Sequence, residues 1–332
     1  MLLARENHIK NTMKNGVRNP EKFKVVIPKG IGHYSIKSSL MWIGCGDNVI
    51  EVPTINYKYD LVELEKVIKE NSEDIMAVIA NVGDSRSMTV ENLEEVSNIV
   101  RKYNENIWLH ADACHGFSLG FSKKLKNKIK GIEKFDSVST DPHKVLMTPY
   151  TVSALLIKNS EKLKLITTSS DLIMQEPFAF GQVTPFIGSK SWISFKVWCV
   201  MKNLGIENIG KIIERRHDMA KIFADKLKKN GFVVLNDVDI NSVMFMFVPK
   251  NKTIDEINDL NKELKSIMDD EGKFFLHQFS INDDNGKISK EKILYPLRYM
   301  SGNDNITEKD QDDLITYMKK IINERIEGVE LE

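Results

Sequence analysis

The sequence predicts an α/β fold: a mostly parallel sheet flanked by helices, followed by a smaller α+β unit. Three observations carry that reading. Strand-sized apolar runs alternate with amphipathic stretches over the first two thirds of the chain. Most of those runs are continuous rather than alternating, as in strands buried on both faces. The chain's 332 residues exceed one comfortable core, so two domains are expected, 1–195 and 196–332.

The strand candidates are 24–28, 48–53, 76–81, 107–112, 137–140 and 154–158, each β-branched or aliphatic. Between them, 61–69 sets Leu61, Leu64, Val67 and Ile68 on one helical face. The stretch 90–103 does the same with Leu93, Val96, Ile99 and Val100. Strand–helix–strand alternation implies right-handed crossovers and parallel pairing. From about Ser191 the pattern changes. Residues 192–204 are apolar enough for a buried helix, and 206–230 read as a long helix stopped at Asn230-Gly231. Strands at 232–235, 243–248 and near 274–279, with helices at 254–269 and 307–327, complete the second unit. No Pro/Gly/Ser-rich linker separates the two, so the boundary between Ser191 and Gly205 is expected inside a helix.

Composition narrows the function classes. Lys+Arg and Asp+Glu each total 47, so formal net charge is zero, unlike a wholesale nucleic-acid binder. Hydrophobic residues at 42% and charged residues at 28% exclude a disordered chain. No apolar run approaches the roughly 20 residues of a membrane span, and the first residues lack a secretory pattern. Cys45, Cys114 and Cys199 are odd in number and widely spaced, which suits a reducing cytoplasm. A cytoplasmic protein without membrane or nucleic-acid partners is expected.

In an open parallel sheet, chemistry gathers at the C-terminal strand ends. Two ends stand out. Asp112 closes the strand in WLHADACHG, and Lys144 follows the next strand in DSVSTDPHKV. Pro142 is read as ending that strand and fixing a turn, with Lys144 in a loop over the same edge. A loop lysine alone is usually a solvated charge, and a strand-end aspartate alone is usually a turn cap. Their pairing on consecutive strands is what points to chemistry. An amine beside an acid suits pyridoxal phosphate: the aldehyde needs an amine for a Schiff base, and the pyridine nitrogen needs a carboxylate to stay protonated. The amine must also lose its proton, which burial and a nearby cation such as His143 would favour.

Further segments fall in order along the chain: HYSIKSS (33–39), VIANVGDSRSMTVENLEEV (78–96), HADACHGF (110–117), DSVSTDPHK (136–144), MTPYTVSALLIKN (147–159) and GSKSWISFKVWCVMKNLG (188–205). With these, most of residues 1–220 resemble the group II pyridoxal-phosphate-dependent amino-acid decarboxylases, which include aromatic amino acid, glutamate, histidine and tyrosine decarboxylases. The resemblance implies a fold-type I enzyme that removes the α-carboxylate of an L-amino acid. It also implies a homodimer with sites at the subunit interface. Carried over residue by residue, it implies that His33 stacks on the pyridine face and Asp112 bonds the pyridine nitrogen. Lys144 would form the Schiff base, and Cys114 would lie beside the ring. His143 and Asp141 would lie near the phosphate, and Ser85 stands where the family has a threonine near the cofactor.

The sequence departs from that family in three places. The family's Gly-rich phosphate loop precedes a helix reading Leu-Leu-Ala-x-Arg, and here residues 1–5 already match that helix. Either a separate N-terminal fragment supplies the loop, or the chain is a fragment or a degenerate remnant; the alternative function is a truncated non-catalytic homologue or partner subunit of a split decarboxylase. The family's mobile loop usually carries a tyrosine, whereas 167–186 offers only Phe178, Phe180 and Phe186. Asp84 replaces a threonine and is expected to disfavour a bound phosphate if it faces inward.

Other readings are weaker. His110, Asp112 and His115 spell H-x-D-x-x-H, but no second cluster supplies further ligands, so no metal is expected. His8, His217 and His277 read as surface or packing residues, and Cys114 as a packing residue rather than a nucleophile. Trp192, Phe195 and Trp198 read as core or dimer interface.

Overall fold

The computed structural model describes residues 1–167 and 191–326. The large sheet contains β1 (Lys24–Pro28), β2 (Val49–Val52), β5 (Ile75–Asn81), β6 (Trp108–Asp112), β7 (Ser137–Thr140) and β8 (Ala154–Ile157), in the order β2-β1-β5-β6-β7-β8. The small hairpin β3 (Thr54–Ile55) and β4 (Lys58–Tyr59) lies between β2 and β5 in the chain. All pairings from β2 to β7 are parallel, and β8 joins β7 antiparallel.

The continuous apolar runs are explained by what covers each face. Helices α1 (Leu2–His8) and α3 (Tyr34–Trp42) lie on one side, and α4 (Leu61–Asn71) and α5 (Leu93–Tyr103) on the other; α2 (Thr12–Asn15) is a single turn. Along β5, Val78 and Ala80 join Leu64, Ile68, Val96 and Val100 of α4 and α5 in one apolar cluster. Ala77 and Ile79 join Leu3, Ile36 and Leu40 of α1 and α3 in another. A strand whose two faces both meet helices can carry no polar alternation. Asp60 starts α4 by accepting from Val62 N at 2.9 Å, satisfying an otherwise unpaired first-turn donor.

The run expected as the sixth buried strand differs. In β8, Leu155 and Leu156 are 59% and 46% exposed. These neighbours point to opposite faces, so neither face of this edge is covered among the described residues. The buried helix expected at 192–204 is also corrected. It forms as α7 (Ser194–Leu204), but none of its residues is buried. Trp192, Phe195 and Trp198 stack along one flank, with centroids 4.7 and 5.6 Å apart, rather than on the sheet. Spacing of three residues lines side chains up on a helix, but it does not say whether anything covers them. Of the core-or-interface alternatives for this stripe, the core is excluded. The stretch 168–186, with Phe178, Phe180 and Phe186, lies outside the described residues, as do 188–190.

The second unit is a four-stranded sheet of β9 (Phe232–Val234), β10 (Ser242–Phe247), β11 (His277–Gln278) and β14 (Leu297–Met300), ordered β11-β14-β10-β9. β12 (Ile281–Asn282) pairs β13 (Ile293–Leu294). Helices α9 (Ile254–Glu271) and α10 (Glu308–Arg325) both open with capping boxes, Thr253 with Glu256 and Thr307 with Asp310. Helix α8 (Ile206–Lys229) connects the two units physically. Its Ile209 and Ile213 pack in the large-sheet core, while Ala220, Phe223 and Leu227 pack in the small-sheet core.

The sheet order places the site. The chain leaves β1 for β2 on one side and returns to β5 on the other. Such a reversal opens a crevice at the C-terminal ends of the strands.

Candidate active site

A cleft of about 370 Å³ occupies that crevice. Most of its lining comes from the ends of β1, β5, β6 and β7 and the segments that follow them, with Met1 and Leu155 added. His33, Ser85, Asp112, Cys114, Asp141 and Lys144 all line it, together with Ser35, Asp84, His115 and Ser139. The parallel strands explain this convergence, because four parallel strands place four turns at one edge. Two glycines let those turns close on each other. Gly83 has φ +90°, and a Cβ there would meet Ile240 Cδ1 at 2.4 Å and His115 Cβ at 3.0 Å. A Cβ on Gly116 would meet the Val82 carbonyl oxygen at 2.5 Å.

Asp112 is held from the sheet side. Its Oδ1 accepts from Cys114 N at 3.4 Å and from Ser139 Oγ at 3.5 Å. Among the described residues, Oδ2 takes no hydrogen bond. Burial pushes the Cys114 thiol well up, with the Asp112 charge adding to it, so this cysteine stays protonated. That suits a packing role and not a nucleophile. Burial lowers His115 to about 4, with the charges of Lys144 and Arg298 pushing the same way. Burial likewise holds His110 down to about 4, aided by the Met1 amino group and opposed by Asp112. Both imidazoles are therefore neutral at pH 7.

Lys144 is held differently from expectation. Pro142 does not end in an open loop. It occupies the first turn of α6 (Pro142–Val145), where a proline costs no hydrogen bond. Lys144 Nζ lies 2.8 Å from Asp141 Oδ2, and the lysine side chain is 31% exposed. Burial acts to lower its pKa, but the Asp141 hydrogen bond and nearby negative charges outweigh it, so the net direction is upward. Asp141 shifts down as its partner requires: burial opposes, and the hydrogen bonds from Lys144 and Ser153 prevail. The expectation that His143 acts as the depressing cation is corrected as well. His143 does not line the cleft. Its Nδ1 sits 2.6 Å from the Val152 carbonyl oxygen, and its ring lies 4.3 Å from that of Tyr150.

His33 caps α3, with Nδ1 accepting from Ser35 N at 3.3 Å and 2.6 Å from Ser35 Oγ. Those contacts fix the ring at the cleft wall. Asp84 does not present a free carboxylate to the cleft. Its oxygens accept from Arg86 N at 2.7 Å and Ser87 N at 2.8 Å and also bond Ser87 Oγ. It is spent on closing its own turn.

Sequence reasoning missed Arg298. It lies on β14 of the small unit, a strand hidden by the preceding Pro296, and reaches the Ser85 turn without itself lining the cleft. Its Nη1 donates to the Ser85 carbonyl oxygen, and its Nε is buried without a hydrogen-bond partner among the described residues. Burial lowers its pKa, opposed by the Asp84 charge. A desolvated guanidinium with a free donor is suited to an anion. The cross-strand contacts of His110 were also missed. Histidine and serine spacing hinted at them, but the register that joins them was not readable.

The donor set fits pyridoxal phosphate: an amine in reach of the cleft, a carboxylate oxygen open to a ring N–H, and an imidazole fixed at the wall. Comparisons with known proteins agree. A family model described as the pyridoxal-dependent decarboxylase conserved domain matches residues 1–248. The mouse acidic amino acid decarboxylase GADL1 (Mus musculus) is 28% identical over 262 residues, 75% of this chain and 47% of that protein. The aromatic-L-amino-acid decarboxylase of Bacillus atrophaeus is 27% identical over 278 residues, 80% of this chain and 56% of that one. The chain thus spans about half the length of these relatives. Among solved structures, Oryza sativa TDC with PLP and tryptamine superposes with a TM-score of 0.84 at 20% identity, covering 96% of this chain and 66% of that chain. Mouse CSAD in apo form gives 0.82 at 22% identity, covering 95% and 67%.

Proposed function

Because the chain belongs to the pyridoxal-dependent decarboxylase family, whose cofactor is pyridoxal 5′-phosphate, we propose that this cleft removes the α-carboxylate of an L-amino acid. The bound cofactor supplies an electron sink for the pair left behind as CO₂ departs. The observation that carries this reading is the convergence of Lys144, Asp112 and His33 on one cleft.

Lys144 would hold the cofactor through Nζ, and to do so it must give up the proton that its ion pair with Asp141, 2.8 Å away, retains. Asp112 Oδ2 would accept from the ring N–H, and its negative charge would keep that proton in place. His33 would cover one ring face. Arg298, with its unpartnered Nε, offers a positive charge to an anionic group of the substrate. Exclusion of water falls to the turns that Gly83 and Gly116 allow to close. The same proposal includes a homodimer, whose second copy would cover the exposed Trp42 and the aromatic flank of α7.

The test is to add pyridoxal phosphate, record the visible spectrum, reduce with borohydride and map the labelled peptide. Label on Lys144 in wild type, and its complete loss in Lys144→Ala, is the expected result. Absence of label on Lys144, with or without a co-expressed N-terminal fragment, would sink the proposal.

A further inference from the structure

Beneath Asp112 runs a chain of side-chain contacts that the proposed reaction leaves unexplained. Strands β6 and β7 pair so that His110 lies opposite Ser137 and Asp112 opposite Ser139. Residues two apart on a strand share a face, so all four side chains stand together. Trp108, on the same face, donates its indole N–H to Ser137 Oγ at 2.7 Å. Ser137 Oγ lies 2.7 Å from His110 Nδ1, His110 Nε2 lies 3.3 Å from Ser139 Oγ, and Ser139 Oγ lies 3.5 Å from Asp112 Oδ1.

The direction of this chain follows from its two ends. An indole N–H can only donate, and an ionised carboxylate can only accept. Ser139 has one proton and gives it to Asp112 Oδ1, so it accepts from His110 Nε2. The neutral ring then carries its proton on Nε2 and leaves Nδ1 unprotonated, and Nδ1 accepts from Ser137, which itself accepts from Trp108. Every link is determined once the ends are fixed. The neutral state of His110 agrees with its burial. The protonated thiol of Cys114, 3.8 Å from Ser139 Oγ, can donate to that oxygen, and its sulfur is a weaker acceptor than the Asp112 carboxylate.

We propose that Trp108, Ser137, His110 and Ser139 form a one-way donor relay that fixes the Nε2–H form of His110 and delivers a hydroxyl proton to Asp112. These four are positioning residues: they act on a ligand only through Asp112. The relay keeps Oδ1 engaged and so aims Oδ2 at a ring N–H. Its use in binding rests on the cofactor reading above, whereas its geometry does not.

Two measurements test it separately. The first needs no cofactor: nitrogen NMR of the full chain with ¹⁵N-labelled histidine, at pH 7. A single neutral His110 with its proton on Nε2 is expected. A proton on Nδ1, or a doubly protonated ring, would overturn the relay. The second compares affinity for pyridoxal phosphate with affinity for a carbocyclic analogue lacking the ring nitrogen. Ser139→Ala is expected to lose about fivefold for pyridoxal phosphate, the loss of one ordinary hydrogen bond, and nothing for the analogue; Ser139→Thr should restore the wild-type ratio. Equal losses for both ligands would mean a merely structural role, and no loss for either would also overturn the relay. A wild-type chain that binds neither ligand would overturn the cofactor reading, and the tautomer would then decide the relay by itself.

Discussion

Asp112 stands at the end of β6 in the middle of a parallel sheet, with Cys114 N and Ser139 Oγ both on one oxygen. Lys144, in the lining of the same cleft, rides on the four-residue α6 and is restrained by one ion pair. The contrast separates two requirements. The group that must hold a fixed charge is built into the sheet, where packing leaves no freedom. The group that must change its bonding sits on a short helix at the rim, where a long flexible stem can swing.

The largest effect expected from this division is on the acid's side and concerns pH. His110 and His115 are each lowered to about 4, first by burial. The unfolded chain binds protons on them near 6.5, whereas the folded chain resists until about 4. Their contribution to stability is therefore present above pH 6.5 and is lost as pH falls toward 4, by about 3 kcal/mol for each. Chemical denaturation between pH 7 and 4 measures it. Substituting His115→Gln should flatten part of that slope, and an unchanged slope would break the picture of a buried, neutral wall. Next comes the acid itself. Asp112→Asn should weaken pyridoxal phosphate binding by about 10- to 100-fold, the scale of one hydrogen bond to a charged group, as read from a titration of the visible band. The smallest effect is expected on the amine's side. Removing the charge of Asp141 in Asp141→Asn should lower the Lys144 pKa, because the hydrogen bond and charge that raise it are lost. The rate of cofactor capture at neutral pH should then rise, with its pH profile displaced to lower pH. A slower rate would mean that Asp141 serves as proton acceptor more than as a brake.

The sheet was legible because its physics is local. A run such as Ile75–Asn81, buried at every position, can hardly belong anywhere but mid-sheet. Strand ends followed directly, and with them the places of Asp112 and Lys144. What the sequence hid depends on contacts between distant segments. H-x-D and S-x-S are both visible in the chain, but nothing in either tells that His110 faces Ser137. Parallel register is set by the helices that connect the strands, not by the strands themselves. Arg298 was hidden because β14 is four residues long and follows a proline. The exposure of α7 was hidden for a different reason. Apolar residues at helical spacing state a need for cover, not where the cover comes from.

The protection of Trp108 has an optical consequence. The chain has four tryptophans. Trp42, Trp192 and Trp198 are 90%, 74% and 55% exposed, while Trp108 is 3% exposed. In the unpaired chain an ionic quencher such as iodide reaches the first three and not the fourth. The emission that survives quenching then comes from the indole whose N–H heads the row of side chains ending at Asp112. Its intensity and colour make the protein its own reporter of charge changes at the cleft floor, without a label and without turnover.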